Sequence, residues 1–121
     1  MNNLKRNKRP LYICNQTIVN NRKLFSEPIK VYVNYQPVAD KDKGIILAVG
    51  PEYINRLIVY MRPSMAEKFK NGDRCYVFVD PPTTHDVTCN TADFYVDGMP
   101  TRYINESTVH LQRMTGDDTN G

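Results

Sequence analysis

The sequence predicts an all-β fold, a small antiparallel β-barrel or sandwich with one short helix and long loops. Three observations carry this. Apolar residues recur with period two, which puts successive side chains on opposite faces of a strand. Turn residues punctuate these runs at short intervals. Eight prolines spread along the chain keep regular elements short and leave little room for long helices.

The elements follow in order. A basic segment, NLKRNKRP, runs into the apolar LYIC, the first strand. Asn20-Asn21 separates TIV from RKLF and reads as a hairpin turn, because Asn tolerates positive φ. In IKVYVNYQ, Ile29, Val31, Val33 and Tyr35 face one way, and Lys30, Tyr32, Asn34 and Gln36 the other. Lys41-Asp42-Lys43-Gly44 is a charged connection ending in glycine. RLIVYM is apolar on both faces and reads as a buried or doubly covered strand.

Ser64–Lys70 predicts one or two helical turns. Glu67 follows Ser64 at capping-box spacing, Met65 and Phe69 share a face, and Asn71-Gly72 ends the helix. RCYVFVD then alternates Cys75, Val77 and Val79 against Tyr76 and Phe78. After the Asp97-Gly98 turn, STVHLQRM sets Val109 and Leu111 against Thr108, His110 and Gln112. The organisation expected is a basic arm over 1–9, one barrel domain over 10–114 and a loose tail over 115–121.

At 121 residues the chain makes one domain with a core of useful size. Its 40% hydrophobic and 24% charged residues lie near globular averages. The longest apolar runs, Ile45–Val49 and Leu57–Met61, are far short of a membrane span. The basic start leads into no continuous apolar stretch, which argues against a secretory signal and for an intracellular protein. Cys14, Cys75 and Cys89 are widely spaced with no CxxC, so the expectation is free thiols, with Cys75 a small core residue.

The net charge of +3 is uneven. Up to Lys23 there are six basic residues and no acidic one, while the remainder holds ten basic and thirteen acidic. A basic arm on a mildly acidic body suggests docking on something negative, nucleic acid or an acidic protein surface. A solvated terminus is the plainer reading.

PPTTHDVTCNTADFYV, residues 81–96, is the candidate for chemistry, because it gathers His85, Asp86, Cys89 and Asp93. A thiol hydrolase needs a thiolate, a histidine and an orienting group. No recognisable nucleophile context surrounds Cys89, however, and Asp, Asn, Thr and His suit loops for their backbone hydrogen bonds. The spacing matches no structural zinc pattern, and the scattered glycines build no phosphate loop. No enzymatic activity, cofactor or metal is therefore expected, and His110 reads as a surface residue. A second class is a nucleic-acid-binding barrel, with Tyr32, Tyr76 and Phe78 as a stacking platform.

The order of features resembles the small head-closure, or stopper, proteins of long-tailed phages and prophages of the siphovirus type. The matching stretches are the NRNKR-like start at Arg6–Arg9, the Pro28–Pro37 strand, Asp73–Val79, and the P-x-x-H-D step opening 81–96. They cover most of the chain up to Met114. One departure is visible: Val87–Thr91 separates His85-Asp86 from the aromatic strand ADFYV.

The resemblance implies a non-enzymatic neck protein, made in the host bacterial cytoplasm and sited in the virion neck. It would form a homo-oligomeric ring, twelve-fold in preference to six-fold, between the portal–adaptor complex and the tail, retaining packaged DNA. Partners would be adaptor, portal and tail proteins, with channel DNA a further contact and no membrane. A tail-terminator or tail-completion role fits the same features. The residues assigned to assembly or DNA contact are Lys5, Arg6, Lys8 and Arg9 on the arm, Lys41, Asp42 and Lys43 on the insert Val38–Pro51, and His85 and Asp86 on the late loop. Exposed tyrosines such as Tyr32, Tyr60, Tyr76 and Tyr95 would serve its interfaces.

Overall fold

Alternating apolar side chains need one covered face, and here the sheet closes on itself to cover it. The computed structural model describes residues 8–38 and 54–114. Its strands are β1 (Arg9–Cys14), β2 (Gln16–Val19), β3 (Arg22–Phe25), β4 (Ile29–Pro37), β5 (Arg56–Met61), β6 (Arg74–Tyr76), β7 (Phe94–Val96), β8 (Thr101–Arg102) and β9 (Ser107–Arg113). A single helical turn, α1 (Pro63–Ala66), follows β5.

Six strands form a closed antiparallel barrel in the order β5-β4-β1-β6-β7-β9, sealed by pairing of β9 with β5. Closure removes the free sheet edges at which chains aggregate. Long β4 serves two neighbours, pairing β1 through Ile29–Val33 and β5 through Asn34–Pro37. Outside the ring, β2 and β3 make a separate hairpin, and β8 pairs only with the start of β9.

The predicted faces hold on β4, where Val31, Val33 and Tyr35 are buried, although Ile29 at its start is exposed. On β5 the doubly covered reading gives way to alternation: Leu57, Val59 and Met61 enter the core, while Ile58 and Tyr60 are half-buried. Leu11, Ile13, Cys75, Phe94, Val96, Val109 and Leu111 fill the rest of the barrel, with Phe69 and Ala66 beside them. Cys75 is the small core residue expected, and all three thiols are free and buried.

The Asn20-Asn21 turn also holds. Both residues take left-handed φ, +52° and +64°, as a two-residue turn needs to match the twist of its strands. Gly72 and Gly98, at the two predicted later turns, have φ near +90° (91° and 93°).

Three local expectations are corrected. The helix spans only Pro63–Ala66, its N-cap is Arg62 with no side-chain cap bond, and the Ser64–Glu67 capping box does not form. Pro63 starts the helix one residue earlier, leaving Ser64 inside it. β6 ends at Tyr76, because the N–H groups of Val77 and Phe78 go to the Asp93 carboxylate and not to a strand. His110 is half-buried with its Nδ1 enclosed and unpartnered, not a plain surface residue.

Candidate functional site

The strand faces that point out of β1 and β6 are covered in their turn. Tyr12 lies opposite Tyr76 and Cys14 opposite Arg74, on the face opposite to Ile13 and Cys75. The connection over 81–93 folds back across this outer face, where Cys14, Phe25, Tyr76, Cys89 and Ala92 form a second small core.

Each polar residue that made 81–96 look catalytic has a local task. A ring nitrogen of His85, Nε2, pairs with the Phe25 carbonyl at 3.0 Å. The neighbouring Val87 carbonyl accepts the Phe25 N–H at 2.8 Å, so the connection is fastened to β3 twice. Asp86 Oδ1 accepts from the Thr88 hydroxyl at 2.6 Å and the Thr88 N–H at 3.0 Å, an Asx-type turn. These bonds hold the Asp86 carboxyl below its ordinary range. Asp93 accepts the N–H groups of Val77 and Phe78 at 2.8 and 2.9 Å. Burial nevertheless pushes the Asp93 carboxyl up.

Cys89 takes a left-handed φ of +49°, which turns its side chain into the second core. There it is clustered with Cys14 and with Tyr76, whose hydroxyl pairs with Thr91 Oγ1 at 3.2 Å. Cys14, and then the Tyr76 hydroxyl and the Arg74 charge, pull the Cys89 thiol down, against the opposing effect of burial. Cys89, followed by burial, pushes Cys14 up. Burial also raises the Tyr76 phenol to about 12. Arg74 ties the layer together by donating Nη1 to the carbonyls of Thr88 at 2.7 Å and Cys89 at 3.4 Å. Its guanidinium also lies 4.6 Å from the Phe25 ring. Among the described residues, no three His, Cys, Asp or Glu side chains are grouped to hold a metal ion.

A second arrangement closes one end of the barrel. The rings of Tyr35, Phe78 and Phe94 meet edge to face at 6.1 and 5.8 Å. Arg9 covers Tyr35 at 3.9 Å, and Arg113 covers Phe94 at 4.8 Å. The result is a five-residue ladder with a cation at each end, a favourable arrangement for electron-rich ring faces. Arg9 also donates to the Tyr35 carbonyl, and Arg113 Nε to the Ile54 carbonyl at 2.7 Å.

The predicted contact residues are thus divided. Lys5, Arg6, Lys41, Asp42 and Lys43 lie outside the described residues, as does most of the insert Val38–Pro51. Lys8 is exposed, whereas Arg9 is the first residue of β1 and part of the ladder. His85 and Asp86 sit together in the outer layer and are half-buried. The stacking platform does not form: Tyr76 is buried in the second core and Phe78 belongs to the ladder. Only Tyr32 of the three is exposed, with Lys30 Nζ 5.5 Å from its ring and 5.9 Å from that of Tyr12.

Sequence reasoning missed two structural hubs. Asp73 is 1% exposed and accepts from the Gln16 N–H, the Lys70 N–H and the Asn15 amide. Its place after Asn71-Gly72 was the available signal, since an Asp there is well set to bond a turn. The ladder had no signal in sequence, because its five members come from β1, β4, the residues after β6, β7 and β9.

Besides Val79 and Val87, exposed large apolar side chains are grouped at two places beyond the barrel wall. On the β2–β3 hairpin, Ile18 and Val19 are exposed. The second place is the segment around β8, where Met99, Tyr103 and Ile104 are exposed, Ile104 at 95%. No helix among the described residues is long and apolar enough to cross a membrane. The chain is a small closed β-barrel protein with an outer layer and two projecting hairpins. It matches no protein-family model, no curated protein sequence and no solved structure.

Proposed function

We propose that this protein is a structural, ring-forming component of a phage neck, a head-closure protein acting between the portal–adaptor complex and the tail. The observation that carries this reading is the pair of apolar hairpins. A ring built from one kind of subunit needs two different, complementary surfaces on each copy. The β2–β3 hairpin offers Ile18 and Val19 beside Arg22 and Lys23, and the β8–β9 turn offers Tyr103 and Ile104 beside Glu106. One tip is apolar and basic, while the other is apolar and carries both the exposed Arg102 and the half-buried Glu106. Exposed large apolar side chains grouped in this way are what an association surface requires.

The sequence resemblance to stopper proteins points to the same role. In this role the residues of 81–93 shape the subunit's outer wall and catalyse nothing. The test is assembly of the purified chain with portal–adaptor particles, followed by electron microscopy and sedimentation. A chain that remains monomeric and never joins such particles would overturn the proposal.

A second reading, nucleic-acid binding, is favoured by one face. Tyr32 is exposed, with Lys30 lying near both its ring and that of Tyr12, which is a small aromatic and basic surface. It predicts single-strand binding that weakens steeply with salt, and Tyr32→Ala would abolish it.

A further inference from the structure

The two buried thiols of the second core are brought together from distant parts of the described chain. Cys14 ends β1 and, by the register of β1 with β6, points out of the barrel. Cys89 lies at the centre of the 81–93 connection and points in, turned by its left-handed backbone. Both are fully buried in the same cluster, and each thiol shifts the proton affinity of the other. Arg74 independently bridges the two: it is the β6 residue paired with Cys14 of β1, and it bonds the Cys89 carbonyl. Cys75 faces the barrel interior, on the opposite side of the sheet from Cys14.

We propose that Cys14 and Cys89 are a redox pair that closes an intramolecular disulfide when it meets a small-molecule disulfide, locking the 81–93 layer onto the barrel. This holds whatever the protein assembles with. Both side chains belong to one buried cluster bridged by Arg74, the proximity that closing a disulfide of about 2.05 Å requires. The Cys89 sulfur, as thiolate, attacks one sulfur of the oxidant, whose S–S bond breaks and releases one small thiol. Cys14 then gives up its proton and attacks the Cys89 sulfur of the mixed disulfide, releasing the second small thiol. Two protein thiols are oxidised and one small disulfide is reduced to two thiols, so electrons and protons balance.

The environment assigns the roles in this exchange. Cys14, Tyr76 and the Arg74 charge all favour the Cys89 thiolate. Oxidant reaches it through local opening of 81–93. That connection has no strand pairing of its own; it is held by the bonds of His85 and Val87 to Phe25, of Arg74 to Thr88 and Cys89, of Thr91 to Tyr76, and of Asp93 to Val77, Phe78 and Met114. Such segments open more readily than a core strand.

The experiment treats the folded full-length chain with oxidised glutathione, quenches with acid, alkylates in denaturant and maps peptides by mass spectrometry. The expected result is a loss of about 2 Da, reversed by dithiothreitol. A Cys14–Cys89 peptide pair should appear, with Cys75 alkylated. Amide exchange across 85–92 should slow at least tenfold in the oxidised form. Cys75→Ala should oxidise as the wild type does. Cys14→Ser should instead trap glutathione on Cys89. A disulfide that includes Cys75 overturns the proposal, as does oxidation that occurs only in denaturant. The wild-type peptide map decides the matter even where a serine variant fails to fold.

Discussion

Asp93 Oδ2 accepts the backbone N–H of Phe78 at 2.9 Å, and this bond shapes both the outer layer and the barrel end. By drawing the chain away from β7 after Tyr76, it ends β6 and swings the Phe78 ring between Tyr35 and Phe94. A carboxylate that looked like part of an active site is the peg on which an aromatic ladder hangs.

That peg has a pH signature. Burial raises the folded-state Asp93 carboxyl above its ordinary 3.8, so the native protein binds the larger share of protons above that value. Stability from this group therefore falls as pH rises through the window. Asp86 has the opposite sign, since its bonds to Thr88 lower it; its contribution is present above 3.8 and lost as pH falls. Urea midpoints across the acid range, taken as wild type minus Asp93→Asn, should decline with rising pH. The same difference for Asp86→Asn should rise. Parallel curves would show that neither carboxyl is linked to folding.

Asp73→Ala should be among the most damaging single substitutions. It leaves the Gln16 and Lys70 N–H groups and the Asn15 amide without their carboxylate. A cost of about 3–5 kcal/mol follows from stranding buried donors. Asp73→Asn keeps one acceptor oxygen and should cost roughly half as much. Equilibrium urea unfolding reads both.

The two late-turn glycines separate backbone strain from collision. Both have φ near +90° (91° and 93°), yet a Cβ at Gly98 meets nothing within 4 Å, whereas one at Gly72 would come to 2.8 Å of the Gln16 Oε1. Gly98→Ala should cost about 1 kcal/mol from strain alone. Gly72→Ala should cost more, unless Gln16 is also cut to Ala, which should bring the two variants level.

Any alanine test of the basic arm must spare Arg9. Its guanidinium covers Tyr35 and its Nη2 bonds the Tyr35 carbonyl, so Arg9→Ala should lower stability by about 1 kcal/mol. Lys8→Ala should leave the melting curve unchanged. A combined Lys5, Arg6 and Lys8 variant that keeps its stability then isolates the arm's role in assembly or DNA contact.

For the ring itself, Ile104→Asp and Ile18→Asp should fold with stability within about 0.5 kcal/mol of wild type, since both side chains are mostly exposed. Each should abolish joining to portal–adaptor particles in sedimentation. If both variants assemble normally, the hairpins are not the ring surfaces.

What the sequence by itself determined was local and periodic. Alternation in IKVYVNYQ and STVHLQRM chose the inward faces, because a strand has only two sides and water takes one. Asn20-Asn21, Gly72 and Gly98 placed the turns, because few residues accept positive φ. Tertiary structure decided everything that joins distant segments. It closed β9 onto β5, built a second core between β1 and 81–93, and buried Tyr76, which alternation alone leaves on an outer face. It also gave the residues of HDVTC their tasks. His85 bonds Phe25 and Cys89 meets Cys14 because a polar loop crossing a barrel must satisfy its groups on whatever the fold puts beneath it.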